Sequence, residues 1–303
     1  MALLTAVLPM PPVVAESLHA GLRRRGWIEG KGIQTEARAS FGDPARTRDL
    51  ATELVGLRPD VILALNTAHT LAAMQASASI PIVTWCGYPV ETGLTKSLAR
   101  PSTNVTGIAS YASAEVWGKL VEILRELRPS LREVGVLWDY MPPAFPDGPV
   151  AIGEFRKAAQ RFGINLNVWT VHDERELTDA LSAIERMRIE ALVVSASGGV
   201  HNHPERSAKI AELVARRRLP MITDIAGLFF LGANCALAYS PDLANLVDRL
   251  THFVDRILRG AKPADLPFEL PARFNLAVNL KAVRTLGLEV PPALLARADQ
   301  VIQ

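Results

Sequence analysis

The sequence contains no run of five lysines or arginines, and its formal net charge is only +2 over 303 residues. Nucleic-acid and membrane-surface binding draw on concentrated positive charge, so neither has compositional support. No apolar run approaches the roughly 20 residues needed to span a bilayer. Two cysteines, Cys86 and Cys235, are too few for a disulfide framework. Each sits at the end of an apolar run, where a buried thiol behaves as a small hydrophobe. There is no G-x-x-x-x-G-K-[ST] phosphate loop and no G-x-G-x-x-G after a strand, so no nucleotide and no cofactor are expected. His201 and His203 flank Asn202, but a third metal ligand is not evident nearby. The pair reads as a solvated helix approach, and no metal is expected. Cys86 with one of the six histidines matches no nucleophile and base motif, so the chain is read as a non-enzyme.

What is present is an ordinary globular composition, 49% hydrophobic and 21% charged, in a chain long enough for two units of about 150 residues. Apolar runs of strand length alternate with segments of helical periodicity. Strands are expected at residues 3–8, 33–37, 61–65, 80–85, 105–109, 133–138, 166–171 and 191–195. Helices are expected from Pro11 to near Gly26, from Asp43-Pro44 onward, and over residues 113–128, 152–162, 174–187, 204–217 and 243–258. Alternation of this kind makes an α/β protein with parallel sheets. Arg23 to Arg25 and Arg216 to Arg218 read as charges at helix C-termini. Asn104-Val105-Thr106 matches a glycosylation sequon and reads as a turn.

The stretch from Asp60 to Gly93 organises the first half: a buried strand, a polar turn, an Ala-rich helix, a second buried strand and a polar mouth. Thr67 reads as the helix N-cap. Open α/β sheets bind ligands outside the carboxyl ends of their strands, and a helix N-terminus there offers N–H groups to a carboxylate. Asn66, Thr67 and Ala68 are therefore the first candidate site. Trp85, Gly87 and Tyr88 form the next strand exit, where an aromatic pair suits a flat ligand and the Tyr88 hydroxyl a hydrogen bond; Trp85 reads equally well as core. Tyr140, Ser197, Asp224 and Tyr239 lie at or just past strand ends in the second half. The loop from Tyr140 to Gly148, with three prolines, reads as a lid or rim. Residues 58–67 align with 188–197, and 80–85 with 219–224. Two similar lobes, with a ligand between their strand ends, are expected from that likeness.

These exits resemble those of the ABC transporter substrate-binding proteins often described as tryptophan/tyrosine-type or uncharacterised. Carrying the resemblance are Gly26-Trp27-Ile28-Glu29-Gly30, Thr67, and Gly87 to Leu94. So do Leu98 to Pro101, Asn104 to Gly107, Gly260 to Pro267, Asn279-Leu280-Lys281, Leu286-Gly287-Leu288 and Arg297-Ala298-Asp299. The resemblance implies a type I periplasmic-binding-protein fold with two Rossmann-like lobes joined by a hinge. It divides the chain into 1–110 plus 241–272 and 111–240 plus 273–303. It implies a periplasmic, monomeric receptor that binds a small aromatic or apolar carboxylate or amino acid and delivers it to an ABC permease in the inner membrane. An export signal of the natural precursor is not expected within this chain, since MALLTAVLPM reads as the first strand. Two departures bear on the ligand. Tyr88 stands where many members have Asp, and the second-lobe Asp of amino-acid binders is missing near Ser197 and Gly198, which speaks against an amino-acid ligand unless Asp224 substitutes as the partner of an ammonium group. The same fold serves as the effector domain of transcription regulators. That alternative requires a helix-turn-helix ahead of the first strand.

Overall fold

The computed structural model describes residues 1–6, 8–41, 43–111, 115–139, 148–195, 204–224 and 235–303. They belong to two units, one drawn from Met1–Ala112 and Asp242–Ala272, the other from Ser113–Met141, Gly148–Pro241 and Arg273–Gln303. No helix among the described residues is long and apolar enough to cross a membrane.

In the first unit, β1 (Ala2–Thr5), β4 (Glu36–Ala39), β5 (Ile62–Ala64), β6 (Ile82–Cys86) and β7 (Val105–Ala109) form a parallel sheet of order β4-β1-β5-β6-β7. A ribbon of β2 (Ile28–Glu29) and β3 (Gly32–Ile33) stands apart from it. Helices α1 (Pro12–Arg24) and α8 (Leu243–Leu258) pack together on one face, and α2 (Pro44–Gly56) and α3 (Thr67–Ala76) on the other. The sequence dictates this through its periods. Along β6, Ile82 and Cys86 join Leu54 and Ala73 of α2 and α3, while Val83 and Trp85 join Leu18 and Leu250 of α1 and α8. Asp43 caps α2 by accepting from Ala45 N at 2.8 Å and Arg46 N at 3.1 Å.

The helix pair α1 and α8 is tied by charge as well as by its apolar stripe. Arg24 and Arg25 reach Asp248 at 2.7 and 2.8 Å, and these hydrogen bonds, Arg25's foremost, hold the Asp248 carboxyl down at about 2. Trp27 donates from Nε1 to Asp255 at 2.9 Å, and the Arg259 guanidinium lies 5.8 Å from the Trp27 ring centroid. The first arginine cluster is thus an ion-pair anchor in addition to a helix-end charge.

In the second unit, β8 (Glu133–Asp139), β9 (Asn165–Val171), β10 (Ala191–Ser195), β11 (Met221–Thr223), β12 (Cys235–Pro241), β13 (Phe274–Asn279) and β14 (Gln300–Ile302) form a sheet of order β14-β13-β12-β11-β10-β8-β9. Its pairings are parallel except β12 with β13. One face carries α6 (Glu174–Arg186) and α7 (Pro204–Arg217), whose Leu177, Ile184, Ile210 and Val214 pack on Leu137, Leu192 and Val194. Trp117 of α4 (Glu115–Leu127), Trp138 of β8 and Phe155 of α5 (Gly148–Phe162) form a buried aromatic triad, with Trp117 and Trp138 edge to face at 4.9 Å. Short helices α9 (Leu280–Thr285) and α10 (Pro292–Ala296) complete the unit.

Two expectations are corrected. The strand read over residues 33–37 is divided: Gly30 N bonds Ile33 O at 2.9 Å to close the ribbon, and β1 pairs instead with Glu36–Ala39, a polar edge strand. The first strand ends at Thr5, because its ladder partners end at Ala39 and Ala64. The two segments found to align occupy equivalent places. β5 and β6 are the third and fourth strands of their sheet, and β10 and β11 the third and fourth parallel strands of theirs, both sheets following the order 2-1-3-4-5.

Candidate functional site

The carboxyl ends of β5, β6 and β7 bring the first-unit candidates together. Asn66, leaving β5, is the N-cap of α3: its side chain accepts from His69 N at 2.8 Å. This corrects the reading of Thr67 as cap. Both residue types cap helices, but Asn66 is the one with non-helical backbone, at φ 153 and ψ 173, a region populated almost only by glycine. Thr67 is the first helical residue and is 1% exposed. Its hydroxyl accepts from Gly87 N at 3.1 Å, tying the β5 exit to the β6 exit. Ala68 is half-buried in the first turn, where helical N–H groups have no partner within the helix.

Tyr88 follows at φ 45, a left-handed conformation that a bulky residue adopts only under constraint. Thr92 supplies that constraint, donating to Tyr88 O from both N and Oγ1 at 2.9 Å. A tyrosine held in this conformation costs local strain. The Tyr88 ring is buried and stacks on Tyr111, with centroids 5.9 Å apart and planes at 26°. Tyr111 stands two residues past β7 and was missed in the sequence, where attention stopped with the strand at Ala109. Trp85 is half-buried and packs on the α1 and α8 side of the core.

Behind this corner lies a buried polar seam. His69 Nε2 is 2.9 Å from Ser40 Oγ, and Nδ1 is 3.4 Å from Leu65 O. A carbonyl only accepts, so Nδ1 carries the proton and Nε2 accepts from Ser40. Burial pushes the imidazole down to about 4 and keeps it neutral. Thr70 Oγ1 donates to Asn66 O at 2.6 Å and lies 2.6 Å from Thr84 Oγ1. Burial raises the Cys86 thiol well above the ordinary range and pushes Cys235 up to about 12. Both thiols are free and buried.

In the second unit, Asp224 follows β11 and is 1% exposed, with Ser195 Oγ donating to its Oδ2 at 3.4 Å. Tyr239 lies within β12, stacked on Phe274 at 5.4 Å, its hydroxyl raised by burial. Tyr140 and Ser197, with His201, His203 and the expected lid, lie outside the described residues. Among the described residues no group of His, Cys, Asp and Glu is placed to hold a metal ion.

Several segments that carried the family resemblance turn out to be scaffold. Asn104 donates from Nδ2 to Ser77 O at 3.0 Å and Ile80 O at 2.7 Å, and Thr106 Oγ1 donates to Leu266 O at 2.6 Å. Gly107 faces Thr84 so closely that a Cβ would lie 1.9 Å from its carbonyl oxygen.

The family model of the ABC transporter substrate binding protein matches residues 13–302. A curated tyrosine-binding protein from Clostridioides difficile is 23% identical over 269 residues, covering 88% of this chain and 74% of the relative. Among solved structures, a conserved domain protein from Vibrio cholerae superposes with a TM-score of 0.86 at 24% identity, covering 99% of this chain and 98% of the other. An ABC domain from Streptococcus pneumonia in complex with L-Trp gives 0.86 at 20%, covering 99% of both chains. At such identities the likeness carries the fold alone, that of type I periplasmic binding proteins.

Proposed function

The chain belongs to the ABC transporter substrate binding protein family, and from that premise we propose that it is the extracytoplasmic receptor of an importer, taking a small aromatic carboxylate, an aromatic amino acid foremost. The observation that carries this reading is the corner formed by α3 and the stacked Tyr88 and Tyr111: N–H groups of a first helical turn beside aromatic rings, at the carboxyl ends of β5 to β7. A carboxylate is favoured where helix N–H groups and the helix dipole converge, and the rings supply apolar surface for a flat body. Support for an amino acid comes from the relatives, one described as tyrosine-binding and one complexed with L-Trp. The buried carboxylate of Asp224 is the group in the second unit suited to an ammonium. On this reading Tyr140, Ser197 and Tyr239 complete the second unit's share. An ABC permease of the inner membrane is the partner that takes over the ligand, and the periplasm is the compartment.

A thermal-shift screen of L-tyrosine, L-tryptophan, L-phenylalanine, 3-phenylpropionate and branched aliphatic acids tests the ligand class. Ligand at 100 times its dissociation constant adds about 2.7 kcal/mol, a shift of several degrees. The aromatic amino acids are expected to give it. A flat response across the panel sinks the ligand class. Recovery of the bound ligand unchanged after long incubation separates a receptor from a catalyst.

A further inference from the structure

Several buried hydroxyls along the first unit's sheet are engaged: Thr67 with Gly87 N, Thr70 and Thr84 with each other, Ser40 with His69, Thr106 with Leu266 O. Ser110 is different. It is 4% exposed, and its Oγ has no partner among the described residues. A hydroxyl buried and unpaired is destabilising, and alanine would avoid that cost. The backbone fixes where it stands: Ser110 N donates to Cys86 O at 2.7 Å, extending the β6–β7 ladder by one residue. That places Ser110 across from the Gly87 turn, with Tyr111, the ring stacked on Tyr88, immediately after it. Open α/β sheets take their ligands at this end of the strands. Thr67, the residue with a hydroxyl nearest in kind, has already committed it to Gly87.

Resting on the carboxylate reading above, we infer that the Ser110 hydroxyl donates to a carboxylate oxygen of the ligand beside Tyr88 and Tyr111, and that Thr67 positions Gly87 without touching the ligand. The ligand then supplies the partner that the Ser110 hydroxyl lacks among the described residues.

The test is a comparison of wild type, Ser110→Ala and Thr67→Ala by thermal melting without ligand and by calorimetric titration with L-tyrosine, L-tryptophan and L-tyrosinamide. Ser110→Ala is expected to melt at or above the wild-type temperature, yet to bind the tighter of the two amino acids about tenfold more weakly. The preference for L-tyrosine over its amide shrinks in the same variant, because a hydrogen bond to a charged acceptor is the stronger one. Thr67→Ala melts lower than wild type, since Gly87 N loses its acceptor. Equal amino-acid affinity in wild type and Ser110→Ala overturns the inference, as does a lower ligand-free melting temperature in Ser110→Ala, which reveals a partner within the folded chain. A wild type that binds neither amino acid overturns the carboxylate reading itself, and this inference with it.

Discussion

In the first unit the third, fourth and fifth strands of the sheet leave through Asn66, Gly87 and Ser110. In the second, the equivalent third and fourth strands leave through the residues after Ser195 and Thr223, with Ser195 hydrogen-bonded to Asp224. The strand order is the same, and the exit residues described in the two units differ in chemistry. Those of the first unit are neutral, built from hydroxyls, amide groups and a helix N-terminus, and they offer donors. Those of the second include a buried carboxylate, which only accepts. Topology therefore settles where a strand end falls, while the one or two residues beyond it decide the sign of the ligand group that can approach.

The contrast extends into the sheets, and the largest expected effect tests it there. Gly107 faces the backbone of Thr84, whereas a Cβ on Gly135 of β8 would meet the side-chain ends of Leu192 and Trp169 at 3.0 and 3.1 Å. Backbone cannot step aside and side chains can. Gly107→Ala is expected to cost more than about 4 kcal/mol, in the range reserved for severe lesions, and Gly135→Ala about 1–2 kcal/mol as ordinary overpacking. Urea unfolding of the two variants measures both, and equal costs would break the distinction.

Acidification sharpens the comparison next. His69 is held at about 4 when folded, against about 6.5 when free, so the unfolded chain binds the extra proton between those values. The stability this contributes is fully present above pH 6.5 and is lost as pH falls toward 4, about 3 kcal/mol in all. Amide exchange followed from pH 7.5 to 5 should therefore lose protection in β4 and α3 before β10 and β11. In His69→Gln, the slope of stability with pH over that window should flatten; an unchanged slope would remove His69 as its cause.

The smallest effect concerns the α3 cap. Asn66→Ala forfeits the bond to His69 N and keeps an unfavourable φ, at about 1–2 kcal/mol, while Asn66→Gly relieves the backbone and loses only a few tenths. Thermal melts of the pair should rank alanine below glycine. The reverse order would mean that the unusual dihedrals of Asn66 carry no strain.

Much of the scaffold was legible because periodicity reports burial directly. Residues 105–109, 191–195, 204–217 and 243–258 were read with the boundaries the structure has, each being a fully buried strand or a strongly amphipathic helix. The likeness of residues 58–67 to 188–197 is accounted for by equivalent strands in two sheets of one topology. The corner at the strand ends was only partly legible. Asn66, Thr67, Gly87 and Tyr88 were read as strand-exit residues, Asn66 and Thr67 from turn chemistry and Thr67, Gly87 and Tyr88 also from the segments that carry the family resemblance. Ser110 and Tyr111 were missed because their roles come from neighbours distant in sequence: the ladder to Cys86 and the ring of Tyr88. His69 was hidden for the same reason, lying in an Ala-rich helix with its partner Ser40 beyond α2. Conversely, Trp27, Asn104 and Gly107, which carried the family resemblance, hold packing and hydrogen bonds within the first unit.

The tie between α1 and α8 has a consequence for how the chain is made. Leu246, Leu250, Phe253, Val254 and Ile257 cover the face of the first sheet that α1 only half occupies, joining Leu18, Leu22 and Val83. A ribosome delivers them after β8 to β12, so the amino-terminal sheet waits, one face open, while most of the carboxyl-terminal sheet emerges. Folding of the amino-terminal unit is thereby postponed until most of the chain has emerged, in contrast to the usual amino-end-first sequence. A chain cut before Asp242 loses the residues that cover this face, and its first 111 residues are a half-built layer with an apolar side left bare.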